Sequence, residues 1–237
     1  MNPSRHHLES LIASTAASLP AGSLVLDAGA GDCCYSRHFA NHQYESCDFA
    51  EVSGKTYGRL THICDIRSIP VEDDRYDAVL CSQVLAHIPD SLATLRELRR
   101  VLKPGGTLLL TAPLFFQENE PPHDYFRFTQ HGLRHLLREA GFAVDRLEWL
   151  EGYAGTVAYQ IGMAVRSLPR SPSRLGGGLW GVVASAVLWA SLPGLMALRW
   201  VLARSDVKAR ITDRGMCKNY AVLARAGEVA TPAAEAA

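Results

Sequence analysis

The sequence predicts a doubly wound α/β fold, in which a mainly parallel sheet carries helices on both faces, together with a helical apolar insert. The sheet is predicted because strand and helix signals alternate up to about residue 150, and several of its strands end in an acidic residue, which favours a ligand at that edge. A third observation predicts the insert, because residues 175–198 form a run of 24 positions without a charged side chain.

The bulk composition is that of an ordinary globular chain. The 237 residues include 24 basic and 24 acidic side chains, so the charge balance indicates no nucleic-acid partner. The first 20 residues lack the apolar run of a signal peptide and predict a short amphipathic helix, with Leu8, Leu11 and Ile12 on one face. Six cysteines fit no paired zinc pattern, so we expect reduced thiols, no metal site and a cytoplasmic location.

Four strand signals occur in the first third of the chain, and their ends carry polar side chains. The strands are expected at 23–27, 44–49, 60–65 and 76–82, and a helix is expected over 35–40, after the first strand. Each strand carries one polar residue at its carboxyl end: Asp27, Asp48, Asp65 and Ser82, in chain order. In a parallel sheet these ends meet at the edge where ligands bind. One such Asp is a common turn residue, but three on separate strands favour a ligand.

The remaining sheet region contains two helices with clear boundaries. Asp90 or Ser91 is expected to cap a helix with leucines on one face, which residues 103–106 end. A fifth strand is expected at 107–113. Thr129 is expected to cap a second helix that Gly141 ends, and a sixth strand follows at 142–150.

The turn after the first strand, in "LVLDAGAGDCCYS", contains Gly29 and Gly31. A dinucleotide fingerprint needs a third glycine where this chain has Cys34. The carboxylate of Asp27 beside the turn disfavours pyrophosphate and favours a cationic ligand such as S-adenosylmethionine, which carries an ammonium and a sulfonium. In that interpretation Asp27 acts on the amino-acid end, and Asp48 accepts the ribose hydroxyls. Asp65 and Ile66 flank the adenine.

The same segments resemble class I S-adenosylmethionine-dependent methyltransferases of the methyltransferase type 11 kind. The likeness is carried by "VLDAGAGD", "CDF", "CDIRSIP", "YDAVLCSQVLAHIPD" and "LRRVLKPGGTLLLTAP", and it returns at "NYAVLARA". It implies the Rossmann-like methyltransferase fold, with seven strands and an antiparallel last strand at 219–226. It also implies S-adenosyl-L-methionine as cofactor, with contacts from Asp27, Gly29, Gly31, Asp48, Phe49, Asp65, Ile66 and either Ser82 or Gln83. The family pattern has a third glycine where this chain has Cys33, which is expected to start the next helix.

The loop after the fifth strand holds candidates for substrate chemistry. His123, Asp124, Tyr125 and Arg127 lie within five positions, and each can orient an acceptor or take its proton. The alternative is a structural loop in which Arg127 pairs with a carboxylate. Similar methyltransferases begin this loop motif with a His where this chain has Asn119, so the likeness does not secure a histidine base there. His87 is a further catalytic candidate, and its alternative is a helix-start histidine bonded to the backbone.

The apolar insert combines basic and aromatic residues. From residue 152 to 205 there is no Asp or Glu, but there are five arginines and three tryptophans: Arg166, Arg170, Arg174, Arg199, Arg204, Trp180, Trp189 and Trp200. This composition favours peripheral contact with an anionic membrane through 175–204, and Pro193 with Gly194 is expected to break the run into two helices. A helical cap on the sheet domain and a dimer surface are the alternatives.

The expected organisation is an S-adenosylmethionine-binding α/β domain over 1–150, the helical insert over 151–210, the last strand within 211–226 and a disordered tail over 227–237. The expected function is methyl transfer to an oxygen of a small or lipid-like acceptor, at the inner face of a membrane. Two alternatives are a nicotinamide-dependent oxidoreductase, which the missing glycine and Asp27 disfavour, and a non-catalytic membrane-associated binding protein.

Overall fold

The computed structural model of the chain describes residues 2–52 and 54–227. They form two compact units. One comprises Leu8–Leu150 with the segment that begins at Lys218, and it contains the sheet. The other comprises Glu151–Cys217 with the first seven residues, and it contains the apolar helices. The tail expected to be disordered lies, from residue 228 onward, outside the described residues.

A seven-stranded sheet with the order β3-β2-β1-β4-β5-β7-β6 organises the first unit. Its strands are β1 (Leu24–Ala28), β2 (Gln43–Asp48), β3 (His62–Ile63), β4 (Tyr76–Ser82), β5 (Leu102–Pro113), β6 (Phe142–Trp149) and β7 (Asn219–Ala226). The β7 strand runs antiparallel between β5 and β6, whereas the other pairs are parallel. The α/β class, the seven strands and the antiparallel last strand are thus confirmed.

Five α-helices occur within the described residues: α1 (Pro3–Ser18), α2 (Ser91–Val101), α3 (Gln130–Glu139), α4 (Tyr153–Ser167) and α5 (Gly178–Lys208). Helices α2 and α3 begin at the expected caps. The Asp90 carboxylate accepts from the Ala93 amide at 2.9 Å, and the Thr129 hydroxyl accepts from the Gly132 amide at 3.1 Å. Each cap satisfies a backbone donor that the first helical turn leaves unpaired.

The core of the sheet unit lies between the central strands and their helices. Leu80 on β4 and Leu109 on β5 are almost fully buried and belong to one apolar cluster with Leu8 and Ile12 of α1. The predicted apolar face of the first helix is therefore confirmed, with Leu11 packed at the edge of the same cluster. Burial of such side chains is the main favourable contribution to folding.

Two short elements near the carboxyl edge differ from expectation. The β3 strand has only two residues, because the Asp65 carboxylate accepts from the Arg67 amide at 2.9 Å and turns the chain. The expected helix over 35–40 is a single 3₁₀ turn, Ser36–Phe39. Cys33 does not start a helix, because its φ of 57° keeps the chain in the preceding turn.

The expectation that Pro193 and Gly194 divide the insert into two helices is wrong, since α5 is continuous from Gly178 to Lys208. Proline removes one backbone donor and strains the turn before it. The carbonyl of Trp189 would accept from the backbone amide that Pro193 lacks. Both residues are exposed, so this carbonyl lies on the outer side of the helix. Contacts on both sides of this position keep the two halves together, since Ser185 bonds to the Arg170 carbonyl beyond the end of α4 and Arg199 lies against Gly162 of α4.

Candidate active site

The glycine turn after β1 is fixed to the end of β2 by backbone hydrogen bonds. The amides of Gly29 and Ala30 donate to the Cys47 carbonyl at 2.8 and 3.0 Å. The next amide in the turn, that of Gly31, donates to the Asp48 carboxylate at 3.0 Å. The turn therefore has a defined position at the carboxyl edge, where ligands of parallel sheets bind.

Three alternate residues of this turn have left-handed backbone conformations. The φ angles are +81° at Gly29, +54° at Gly31 and +57° at Cys33. The third position of the D-x-G-x-G-x-G pattern thus keeps a glycine-like conformation although its residue is Cys, at a cost of about 1 kcal/mol. A Cβ at Gly29 would overlap the side chain of Val84, so the turn also packs closely against the chain that follows β4.

Asp27 is a buried carboxylate at the start of the turn, and it is only 2% exposed. Its Oδ2 accepts a hydrogen bond from the Tyr44 hydroxyl at 2.7 Å. Burial is the main cause that raises the pKa of Asp27 to about 7; the Tyr44 hydrogen bond opposes it, and the charges of Asp48 and Asp32 add smaller increases. The edge therefore carries negative charge that a cationic ligand would stabilise.

Asp48 and Asp65 have different surroundings. The buried Asp48 accepts from the Gly31 amide and, at 3.2 Å, from the Ala50 amide, so both carboxylate oxygens have a fixed direction. Asp65 is exposed and pairs with Arg67 at 2.6 Å, and these hydrogen bonds lower the pKa of Asp65. The structure brings Asp27 and Asp48 together, whereas the Asp65 carboxylate is engaged by its arginine. Ile66 beside it is buried.

The residues after β4 interact with the end of β5. The Ser82 hydroxyl lies 3.1 Å from the Thr111 hydroxyl, and the Gln83 amide group donates to the same oxygen at 3.0 Å. Gln83 has a φ of +61°, which turns the chain sharply into the segment that contains Val84. Both polar side chains therefore hold the shape of this strand end.

Asp124 and Arg127 pair with each other inside the loop that follows β5. Their nitrogen–oxygen distances are 2.7 and 2.8 Å, and the Asn119 amide donates to Asp124 at 2.6 Å. Arg127 also donates to the carbonyls of Phe116 and Gln117. Its hydrogen bonds lower the pKa of Asp124 to about 2, so this carboxylate is a weak base at neutral pH. The pair supports the interpretation as a structural loop.

The same loop rests on the turn that contains His87. The Tyr125 amide donates to the Ala86 carbonyl at 2.8 Å, and His87 Nδ1 lies 2.6 Å from the His123 carbonyl. Because a carbonyl only accepts, Nδ1 carries the hydrogen, and Nε2 of a neutral His87 has the lone pair. The His123 ring meets Phe49 edge to face, with centroids 5.6 Å apart. These residues lie together, and Tyr125 is 45% exposed beside them.

A model of a methyltransferase-domain family matches residues 4–147, which is more than half of the chain. The chain belongs to the class I S-adenosyl-L-methionine-dependent methyltransferase family. The resemblance found in the sequence is therefore confirmed, and S-adenosyl-L-methionine is the cofactor of the family.

Two curated relatives have named activities. A ubiquinone biosynthesis O-methyltransferase of Bordetella bronchiseptica is 32% identical over 139 residues, which are 54% of this chain and 55% of the relative. A demethylmenaquinone methyltransferase of Staphylococcus saprophyticus is 36% identical over 93 residues, 37% of either chain. This family member thus spans between about a third and about half of the length of these relatives.

Solved structures share the fold at low sequence identity. The [4+2]-cyclase SpnF aligns with a TM-score of 0.57 and 19% identity, over 94% of this chain and 80% of its own. A putative methyltransferase from Bacillus halodurans aligns with a TM-score of 0.54 and 15% identity, over 92% of this chain and 98% of its own. Both confirm the methyltransferase fold of this family member.

The residues at the carboxyl edge fit the family's cofactor. The carboxylate of Asp27, whose pKa is raised mainly by burial and to a lesser degree by the charges of Asp48 and Asp32, suits a ligand with an ammonium and a sulfonium. Asp48 is held in place by two amides beside it. Within residues 2–52 and 54–227 there is no cluster of His, Cys, Asp or Glu able to hold a metal ion.

Sequence reasoning missed Tyr44, Gly58 and Lys55 around this family's cofactor edge, and it placed Glu120 only in the loop after β5. Tyr44 lies on the same face of β2 as Asp48, a period-two signal that was available in the sequence. Gly58 donates to the Gly31 carbonyl at 2.9 Å, and a Cβ there would approach the Asp32 carbonyl at 2.7 Å. Lys55 and Glu120 are 3.4 Å apart and link two loops at this edge; no local pattern predicts that contact.

Proposed function

We propose that this protein transfers a methyl group from S-adenosyl-L-methionine to an oxygen of an aromatic, lipid-like acceptor. The observation that carries the proposal is the buried carboxylate pair at the glycine turn, Asp27 and Asp48, in a chain that belongs to the methyltransferase family. The named activities of two relatives, in ubiquinone biosynthesis and on demethylmenaquinone, support an apolar ring compound as the acceptor class.

The residues of the carboxyl edge have separate roles in this proposal. When bound, S-adenosyl-L-methionine supplies a methyl group on a positively charged sulfur. Asp27 holds the amino-acid end through the turn, and Asp48 holds the ribose hydroxyls. Phe49, Ile66 and the Asp65–Arg67 pair form the adenine end, and Ser82 and Gln83 shape the wall formed by β4.

His87 is the proposed general base. A phenolic acceptor reacts faster as its oxygen loses a proton, and Nε2 of neutral His87 has the lone pair to take it. The bound cofactor would supply the methyl group to that oxygen in exchange for its bond to sulfur, and His87 would hold the proton that the acceptor loses. His123 and Tyr125 contact the acceptor ring. Asp124 and Arg127 act as positioning residues, because their pairing holds the loop that presents both.

The reaction is proposed to take place at the inner face of a membrane, since an acceptor with an apolar tail is concentrated there. Methyl-labelled S-adenosyl-L-methionine, incubated with the full-length protein and a cell extract, tests this substrate class. The label is expected in the lipid phase after solvent extraction. Label that stays in the aqueous phase would contradict a lipid-like acceptor.

The role of His87 is tested with the variant His87→Asn. The Asn amide can still donate to the His123 carbonyl, so the loop keeps its hydrogen bond while the base is lost. We expect kcat to fall about 10²- to 10⁴-fold. His135→Asn, an exposed change on α3, is the matched control and should leave kcat unchanged. An unaltered kcat in His87→Asn would remove the base from the mechanism.

A further inference from the structure

Helices α4 and α5 form an antiparallel hairpin within the second unit. Gly155 lies against Asp206, where a Cβ would come 2.6 Å from the carboxylate, and Gly162 lies against Arg199, where it would come 2.9 Å from the guanidinium. Further along, Ser185 of α5 donates to the Arg170 carbonyl. Residue numbers increase along α4 and decrease along α5 from one contact to the next, so the two helices are antiparallel. The start of α4 and the end of α5 therefore form the base of the hairpin. Residues 168–177 form its tip.

The side of α5 that faces away from α4 is exposed and apolar. Helix α5 as a whole is long and apolar enough to cross a membrane, yet little of its apolar part is buried. We call this side the α5 face; it comprises the exposed residues Val183, Val187, Ala190, Gly194, Ala197 and Val201. Exposed apolar surface of this extent on a soluble protein marks an interaction site.

The charges around the α5 face indicate an anionic partner. The hairpin carries five arginines and no acidic residue between 152 and 205. Arg166, Arg170 and Arg174 lie near the tip, and Arg199 and Arg204 lie toward the base. Trp180 and Trp200 beside the face are 72% and 66% exposed. Exposed tryptophans and arginines flanking an apolar surface are the composition that binds an anionic lipid headgroup region.

The geometry of the hairpin favours a position in the plane of the membrane. By length and composition α5 is able to cross a bilayer. The Tyr153 amide, however, donates to the Ile211 carbonyl at 2.9 Å, so both ends of the hairpin lie together and α4 would have to cross as well. The uncharged part of α4, residues 153–165, spans about 20 Å, and the hydrocarbon core is about 30 Å thick.

We propose that the α4–α5 hairpin binds in the plane of an anionic lipid leaflet, with the α5 face at the acyl-chain boundary and the arginines at the headgroups. This inference extends the proposed function by naming the surface that meets the membrane where a lipid-like acceptor resides. Vesicle binding requires no acceptor and no methyl transfer, so the two proposals can fail separately.

The test is flotation of the full-length protein with vesicles of phosphatidylcholine, with or without phosphatidylglycerol. We expect binding to the anionic vesicles that falls with added salt. Val183→Glu/Val187→Glu should lower the partition coefficient at least tenfold, since each valine contributes about a tenfold gain when buried. Ile63→Glu, which adds a charge at a 73% exposed position on β3, is the control and should bind like the wild type.

A second matched pair of variants tests whether the arginines of the hairpin contribute to the binding of anionic vesicles. Arg166→Glu/Arg174→Glu should reduce binding to anionic vesicles by more than tenfold, because each arginine near a charged surface contributes about a fivefold gain in binding. Arg134→Glu/Arg138→Glu makes the same charge change on the exposed side of α3 and should have no effect. Circular dichroism and S-adenosylhomocysteine binding show that each variant is folded.

Quenching of tryptophan fluorescence by brominated lipids distinguishes an in-plane hairpin from a crossing helix. We expect bromine near the headgroups to quench strongly and bromine near the chain ends to quench weakly, with Trp189→Phe reducing the shallow signal. Strong deep quenching that Trp189→Phe removes would overturn the in-plane geometry. Absence of vesicle binding, or binding that ignores lipid charge, would overturn the proposal, as would a dimer that Val183→Glu/Val187→Glu dissociates without any vesicle binding.

Discussion

Replacing Asp27 by Asn is expected to stabilise the ligand-free protein while weakening its binding of the cofactor. The reason is that Asp27 is a buried carboxylate whose nearby charges, those of Asp48 and Asp32, have the same sign. Asn has nearly the same shape and can still accept the hydrogen bond from Tyr44, but it carries no charge. The substitution therefore removes a folding cost and, with it, the charge proposed to attract the ammonium group.

The sign and size follow from the pKa of Asp27, which rises from 3.8 to about 7 on folding. An acid with a raised folded-state pKa binds more protons in the folded than in the unfolded protein, so it lowers stability as the pH rises from 3.8 to 7. At 1.36 kcal/mol per pKa unit, the full cost above pH 7 is about 4 kcal/mol. At pH 5 the cost is only about 2 kcal/mol, because the folded-state carboxyl is still protonated.

The assay is urea unfolding of the wild type and of Asp27→Asn at pH 5 and pH 7.5. The free energy of unfolding of the variant should exceed that of the wild type by an amount that grows by about 2 kcal/mol between the two pH values. Asp145→Asn is the control, because Arg225 lowers the pKa of that exposed carboxyl and removing it brings no gain in stability. The affinity of Asp27→Asn for S-adenosylhomocysteine should fall about tenfold or more.

Two results would refute this reasoning. A stability difference that does not grow with pH would show that Asp27 is not a buried, ionising group under strain. Unchanged affinity of Asp27→Asn for S-adenosylhomocysteine would show that the carboxylate has no part in binding, whatever its effect on folding.

Three further predictions concern the glycine turn and the loop after β5. In urea titrations, Gly29→Ala should lower the free energy of unfolding by about 1–3 kcal/mol more than Gly22→Ala does. Both glycines have a positive φ, but only Gly29 faces a side chain, that of Val84. Equal losses in the two variants would contradict close packing of the turn against Val84. Cys33→Gly should raise the free energy of unfolding by about 1 kcal/mol, because Cys33 has a positive φ. Cys34→Gly should lower it, because Cys34 does not have a positive φ. A lower free energy of unfolding in both variants would mean that the contacts of the Cys33 side chain outweigh its backbone strain. Asp124→Asn should destabilise the protein by about 2 kcal/mol at neutral pH, because it removes the charge that pairs with Arg127. This loss should disappear as the pH falls from 3.8 toward 2, where the wild-type carboxyl itself becomes protonated. A loss that does not change with pH would mean that the shape of the side chain, and not its charge, is responsible.

Most of the sheet was predictable because its signals are local. The β4 strand has the expected bounds, Tyr76–Ser82, since a short apolar run between polar turns has few alternatives. The caps of α2 and α3 were readable from Asp90 and Thr129 for the same reason. The β3 strand was overestimated, because the hydrogen bond from the Arg67 amide to the Asp65 side chain ends it, and side-chain competition of this kind leaves no periodic signal.

The site was predictable where it depends on strand ends and not where it depends on contacts between loops. Asp27 and Asp48 meet because parallel strands place their ends at one edge. The contact of Lys55 with Glu120 joins side chains 65 positions apart, and no local pattern encodes it, whereas the pairing of Asp65 with Arg67 is local but depends on side-chain rotamers that the sequence pattern does not specify. The continuity of α5 through Pro193 depends on tertiary packing, which overrides the helix-breaking tendency of proline.

The claim on which the account depends is that the acidic carboxyl edge binds the family's cofactor. Titration calorimetry of S-adenosylhomocysteine into the wild-type protein and into Asp48→Asn tests it directly. The account predicts one bound equivalent in the wild type and at least tenfold weaker binding in the variant, because Asp48 is held by the Gly31 and Ala50 amides in a fixed direction. No heat of binding in the wild type, or equal affinity in both proteins, would contradict it.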